Sequence, residues 1–361
     1  MEPLETGKIK SEFLERILGK IEITDKRVVV GPGIGEDAAA IDMGERYLIV
    51  KSDPITFVSD RIGRYVVNVN ANDIAAMGGT PKWFLVTMLL PERRTTVGEI
   101  ESIMKDLRES CGELGVTLVG GHTEITHGLE HPILSGTMLG EAGKEDLVKN
   151  GNIGEGDLLY MTRGVAIEAT AIIAQARRGE VIGGFGEAFY RRCIGFLEKP
   201  GISVVRDAAK ARSSARVTGM HDPTEGGILT GAYEMARGSG MGLTLFLDRI
   251  PVYEETSLLC GRFGISPYGS IASGSLLIAV SKGEGEALER AFDGMPPLNA
   301  VSRGAGGRSH GGSPGAAGSY TVEPLPYLNL VGEFTRKGGK VRLADGEEIK
   351  PSGIDEITKL L

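Results

Sequence analysis

No uninterrupted apolar run in this sequence approaches 18 residues, so a membrane-spanning helix is not expected. The opening residues, MEPLETGKIK, lack the apolar core of a secretion signal, and a cytoplasmic location is expected from that. Cysteine is scarce. Cys111, Cys193 and Cys260 lie far apart without CxxC spacing, which argues against a zinc site or a disulfide framework and suits a reducing compartment. No lysine/arginine run reaches five and the formal net charge is -8, so no nucleic-acid partner is expected. The P-loop pattern GxxxxGK[ST] is also missing. A phosphorylated ligand would therefore need metal ions or backbone N–H groups to offset the negative charge.

What is present suits a two-domain globular protein. The 361 residues accommodate two domains of about 150 to 200 residues each. A helix is expected over KSEFLERILGKI, then short strands joined by turns over RVVVGPGIGEDAAAIDMGERYLIVKSD, then a helix from about Asp60 to Met77. PKWFLVTMLL, VTLVGG and HPILSGTMLGEA read as strands. In TVGEIESIMKDLRESCGELG, Ile100, Met104 and Leu107 follow the i, i+4, i+7 spacing of an amphipathic helix. This mixed order points to an α+β layer structure. The polar stretch GKEDLVKNGNIGEGD, residues 143–157, marks a junction between domains at 1–148 and 155–345. The second half opens on the strand LLYMTRG and the helix AIEATAIIAQARRG, and later carries HDPTEGG and the strands MGLTLFLD and SGSLLIAV. Residues 302–319, SRGAGGRSHGGSPGAAGS, cannot build a core and are expected to form a flexible surface insertion.

Several motifs could carry chemistry. GPGIGEDAAAID follows a strand, but its glycines fall as GxGxG and a turn and a second strand come next, so it is no dinucleotide fingerprint. It does place Asp37, beside Glu36, on a glycine-flexed turn. Asp53 ends YLIVKSD, Asp73 lies in NVNANDIAAMGG, and Asp222 lies in HDPTEGG. Carboxylates at strand ends and glycine turns can converge on Mg2+, although any one of them alone reads more readily as a cap or turn residue. Asn68 and Asn72 are four apart, and Asn70 and Asp73 are three apart, so each pair shares a helix face. A helix with apolar flanks keeps such a stripe either at solvent or towards a ligand and metal. Gly120, Gly121, His122 and Thr123 follow the strand VTLV, where paired glycines allow backbone N–H groups close to an anion or simply make a tight turn. His221 adjoins Asp222 and could help shape a site.

The ordered series GIGEDAA, KSDPIT, NANDIAAMGG, GGHTEIT, GDLLYMTRG and HDPTEGG, from near residue 31 to about residue 280, resembles the aminoimidazole ribonucleotide (AIR) synthetase-related, PurM-like superfamily. That superfamily includes the synthetase itself, thiamine-monophosphate kinase, selenophosphate synthetase and HypE-type hydrogenase maturation factors. The resemblance implies a two-domain α+β fold, with an N-terminal β-sheet domain forming the interface of a homodimer and a C-terminal α+β domain. It further implies ATP and Mg2+ in a cleft between the N-terminal domains. Asp37, Asp53, Asp73 and Asp222 fall on the acidic metal and phosphate positions. Asn70 would hold a metal-bound water or a phosphate, and Gly120, Gly121, His122 and Thr123 would approach the triphosphate. The implied activity is activation of a substrate oxygen by phosphoryl transfer, on a small molecule or a protein acyl group, with a maturation partner protein among the implied partners.

The wording of the motifs is most similar to the HypE-type branch, with departures. The sequence ends DEITKLL and its last cysteine is Cys260, so the C-terminal acceptor cysteine of those factors is expected to be missing. Glu225 stands where they usually have arginine. His122 replaces the aspartate typical of thiamine-monophosphate kinases, and the reactive N-terminal Cys or selenocysteine loop of selenophosphate synthetase is expected to be absent. A small-molecule kinase and a non-catalytic nucleotide-binding assembly factor are the alternatives.

Overall fold

The computed structural model describes residues 7–9, 11–301, 322–350 and 354–360. The glycine/serine segment 302–319, expected as a surface insertion, lies outside the described residues. The N-terminal half runs α1 (Ser11–Leu18), β1 (Val28–Val30), β2 (Ala39–Asp42), β3 (Arg46–Ile55), α2 (Ile62–Ala76), β4 (Thr80–Pro91), α3 (Val97–Leu114), β5 (Thr117–Thr126) and β6 (Ile133–Gly143). Its six strands form one sheet in the order β1-β2-β3-β6-β4-β5, antiparallel except where β5 joins β4 in parallel.

Local chemistry explains the helix limits. Thr96 and Glu99 form a reciprocal capping box at the start of α3, and Gly115 ends it in the left-handed region at φ 67°. Gly78, at φ 81°, closes α2 where a Cβ would lie 2.0 Å from the Asp146 carbonyl oxygen, so no other residue fits. Helices α2 and α3 cover one face of the sheet. On the other face Trp83 and Leu85, alternating with buried Phe84 and Val86, remain 38% and 36% exposed. β5, the edge strand, is exposed along most of its length.

The C-terminal half contributes β7 (Leu158–Thr162), α4 (Ile167–Ala176), α5 (Arg178–Phe185), α6 (Glu187–Ile194), α7 (Val205–Ser214), β8 (Val217–His221), α8 (Gly227–Ser239), β9 (Met241–Leu245), β10 (Val252–Tyr253), α9 (Glu254–Phe263), β11 (Leu277–Val280), α10 (Gly285–Phe292), β12 (Leu298–Val301), β13 (Val322–Leu325), β14 (Leu328–Lys337) and β15 (Val341–Leu343). Its main sheet has the order β15-β9-β14-β7-β11-β8, and β10-β12-β13 form a second, small sheet. The unbroken apolar run of β11 is buried throughout, as a strand covered on both faces requires. Each half is thus a mixed sheet with helices, and one buried apolar cluster joins them, including Val66 of α2 and Ile167 of α4. Among the described residues no helix is long and apolar enough to cross a membrane.

The junction at residues 143–157 is packed, not a free linker. Val148 N–H donates to Met77 O at 3.1 Å, and buried Asn150 donates to Gly35 O at 2.6 Å. Near the other end of the chain, buried Asp355 accepts from Gly226 N–H at 2.7 Å and Ile357 N–H at 3.0 Å, clamping the turn that opens α8. Asp355→Ala leaves the Gly226 donor without this partner. A loss of about 1–3 kcal/mol is expected, read as a lower urea midpoint, and an unchanged midpoint would show that the clamp contributes nothing.

Candidate functional site

Four chain segments meet at a cleft of about 870 Å³ between the two halves. On β3 the period of two places Lys51 and Asp53 on the face that looks towards α2. Asn70 of α2 fixes that stretch: its Oδ1 accepts from Asp53 N–H at 2.9 Å, while its Nδ2 donates to Asp53 O at 3.2 Å and Val66 O at 2.8 Å. One turn along α2, Asp73 Oδ1 lies 3.2 Å from the Lys51 ammonium, which is also 3.5 Å from Asp53 Oδ2. The loop after β1 supplies Glu36 and Asp37. Gly35 shapes this loop, with φ 79° and a Cβ position only 2.4 Å from Glu234 O of α8.

The C-terminal half supplies His221, the last residue of β8, and Asp222. His221 Nδ1 is 2.5 Å from Asp37 Oδ1, and its Nε2 is 3.2 Å from Glu234 Oε2. Carboxylates on both ring nitrogens are matched only by an imidazolium donating from both. Burial works against that charge, but Asp37 and Glu234 outweigh it and raise the His221 pKa well above its usual value. His221 is therefore a clamp on Asp37. Although Asp37, His221 and Asp222 bring ligand atoms within 4.8 Å of one another, its nitrogens are not free for a metal.

The carboxylates are poorly satisfied. Glu36 Oε2, Asp37 Oδ2, Asp73 Oδ2 and both oxygens of Asp222 are buried without hydrogen-bond partners. Leaving buried acceptors unmade costs on the order of 1–3 kcal/mol each. A set of hard oxygen donors fits Mg2+, so the residues present suit such an ion, with Asp37 and Asp222, whose oxygens approach within 4.8 Å, as the pair that would hold it and Asp73 lining the same cleft. Burial and the neighbouring Asp37 charge push Asp222 up to about 8. Burial, against the pull of Lys51, holds Asp73 well above the usual carboxylate range. Glu36 rises to about 7 through burial and Asp37.

These shifts set a pH dependence. The native chain keeps protons on carboxyls that the unfolded chain has released from about pH 4 upward, so the metal-free protein loses stability as pH rises from there to about 8. A divalent ion competes with those protons. The rise in melting temperature on adding Mg2+ is expected to be larger at pH 8 than at pH 6, and an equal rise would show that the ion sits elsewhere.

The sequence candidates divide clearly. Asp37, Asp53, Asp73 and Asp222 all line the cleft. Asn70 does not reach it: the residue is fully buried and its amide holds backbone, so its hold on a phosphate or a metal-bound water is replaced by one on Asp53. Gly120, Gly121, His122 and Thr123 do not form a turn. They continue β5, three strand positions from β3, or about 14 Å at ordinary strand spacing. His122 is exposed there, 3.5 Å from Glu124. The carboxylate cleft also lies between the two halves of one chain, because His221 and Asp222 come from the second, whereas a cleft between two N-terminal domains was expected. Sequence reasoning missed Lys51, although KSD places it two residues before Asp53 and hence on the same strand face.

Comparison with known proteins follows the same division. Residues 35–142 match the family model described as AIR synthase related protein, N-terminal domain, and residues 154–298 match the C-terminal domain of the same family. A Methanocaldococcus jannaschii protein named for hydrogenase expression/formation is 26% identical over 287 residues, covering 78% of this chain and 82% of that protein. Selenide, water dikinase of Geobacter metallireducens is 30% identical over 308 residues, covering 82% and 78%. Among solved structures, hydrogenase maturation protein HypE in complex with ATP superposes with a TM-score of 0.66 at 17% identity, over 96% of this chain and 92% of that one.

Proposed function

This chain belongs to the AIR synthase related family, both of whose domains it carries, and from that premise we propose that it is an ATP- and Mg2+-dependent phosphotransferase of the HypE-like branch. The observation that carries the reading is the meeting of Asp37, Asp53, Asp73 and Asp222, from four separate motifs, at one cleft with buried carboxylate oxygens left unpartnered. Mg2+ on Asp37, Asp73 and Asp222 would neutralise phosphate oxygens and align the γ-phosphoryl group. His221 and Glu234 hold Asp37 in place for that, and Asn70 holds the backbone at Asp53. Lys8 and Arg237 line the same cleft and offer positive charge to a triphosphate, while Ile9, Met241 and Ile349 offer apolar surface to a base. The volume, about 870 Å³, leaves room for an acceptor beside a nucleotide.

The acceptor in this reading is an oxygen of a protein acyl group or of a small molecule, with ADP leaving. The hydrogenase-maturation relative favours a partner protein as the source of that group. The 30% identity to a selenide, water dikinase favours a second reading, a small-molecule kinase. The open sheet face around Trp83 and Leu85, with edge strand β5, is the surface proposed for a second copy of this chain. Gly120, Gly121, His122 and Thr123 would act at that surface, since within one chain they lie away from the cleft.

The test is release of ADP, or of AMP and phosphate in the selenide case, from ATP and Mg2+ with candidate acceptors: thiamine monophosphate, selenide, and a carbamoylated peptide. Release dependent on one acceptor identifies the class. No release with any of them, while a non-hydrolysable ATP analogue binds, would leave a nucleotide-binding assembly factor in place of an enzyme.

A further inference from the structure

The cleft carboxylates differ in what already balances them. Asp37 carries the His221 imidazolium on one oxygen, and Asp53 and Asp73 share the Lys51 ammonium. Asp222 has no partner on either oxygen. The Lys51 nitrogen, at 3.2 Å from Asp73 Oδ1 and 3.5 Å from Asp53 Oδ2, stands where an ion bridging those two carboxylates would have to sit. A Mg2+ ion needs its oxygens at about 2.1 Å, so the ammonium and such an ion exclude each other. The lysine is not free to leave. Its side chain is only 21% exposed, and it emerges from β3 at a position pinned by ladder bonds and by Asn70 next door.

We infer that Lys51 is a built-in cation that fills the Asp53–Asp73 side of the cleft, so that this chain takes one divalent ion, centred on Asp37 and Asp222, where loss of the lysine would admit a second between Asp53 and Asp73. The purpose assigned to it rests on the phosphotransferase reading: a fixed ammonium beside the single ion presents a second positive charge to the phosphate oxygens. Lysine suits this as a compact point charge. It also fits a chain with no P-loop lysine, since the cation arrives from a strand and not from a glycine-rich loop.

The experiment counts ions, not turnover. Mn2+ is titrated into the nucleotide-free full chain and the free ion is followed by electron paramagnetic resonance. The parent and Lys51→Arg are expected to bind one Mn2+ per chain in the cleft, and Lys51→Gln two. As a check that does not depend on equal folding, Mn2+ is expected to raise the melting temperature of Lys51→Gln more than that of the parent. Two ions in the parent, or one in Lys51→Gln with an unchanged melting response, would overturn the inference. If the ion counts come out as expected but a non-hydrolysable ATP analogue fails to bind, the inference stands and the phosphotransferase reading falls.

Discussion

Asp73→Asn is expected to weaken Mg2+-dependent nucleotide binding by at least a hundredfold while leaving the chain folded. Replacing groups that only orient metal ligands typically costs ten- to a hundredfold in affinity, and Asp73 is proposed as a ligand itself. Its Oδ2 is among the buried oxygens without a partner. Asparagine keeps the shape but removes the charge that would face the ion. The folded state should tolerate this, because burial already disfavours the ionised Asp73 and because Lys51 retains Asp53 at 3.5 Å. Binding is read by calorimetry with a non-hydrolysable ATP analogue, beside a melting curve. A variant that folds and binds like the parent would remove Asp73 from the site.

The second large effect is on stability. Asn72→Ala should destabilise the chain by about 2–4 kcal/mol, because Asn72 is a polar tie between the two halves. Its Nδ2 donates to Ile202 O at 2.9 Å and its Oδ1 accepts from Val204 N–H at 2.9 Å, all within buried surroundings. Truncation leaves a buried donor and a buried acceptor unmade, each worth roughly 1–3 kcal/mol. Denaturant titration is the measurement. A loss below about 0.5 kcal/mol would mean that water or a local shift replaces the lost bonds. Since Asn72 points away from the cleft carboxylates, the affinity of the remaining folded protein for Mg2+ should change far less than in Asp73→Asn.

These two neighbours show what the sequence could and could not disclose. The spacing within NVNANDIAAMGG tells which residues share a helix face, and the apolar flanks make free exposure the less favoured of the two readings. Spacing does not reveal partners distant in the chain. Asn70 answers to the backbone of Asp53 and Asn72 to that of residues 202 and 204, so two of the polar residues that looked ligand-facing are structural. Asp73 was legible only together with Asp37, Asp53 and Asp222, each at or near a strand end, glycine turn or helix face. The glycines of GGHT misled because consecutive glycines usually mark a turn. Here Gly121 lies in β5 against Val86 with a positive φ of 148°, and a Cβ would lie 1.9 Å from the Val86 carbonyl oxygen. What demands glycine at that position is the positive φ together with close strand packing. The anchoring of Gly35 by Asn150 was likewise hidden, because the junction read as a polar linker.

The electrostatic pattern follows from the same geometry. Bringing four aspartates into one poorly solvated cleft is costly unless cations accompany them, and among the described residues the cations paired directly with these aspartates are the Lys51 ammonium and the His221 imidazolium. Both are committed to Asp37, Asp53 and Asp73, which leaves Asp222 to accept a cation from solution.

The central claim, that these carboxylates make a Mg2+-nucleotide site, is tested most directly by calorimetric titration of the full chain with a non-hydrolysable ATP analogue, once with Mg2+ and once with a chelator. Binding is expected with Mg2+, and loss of it with the chelator and in Asp222→Asn. Equal affinity with and without the ion, or full retention in Asp222→Asn, would contradict the claim.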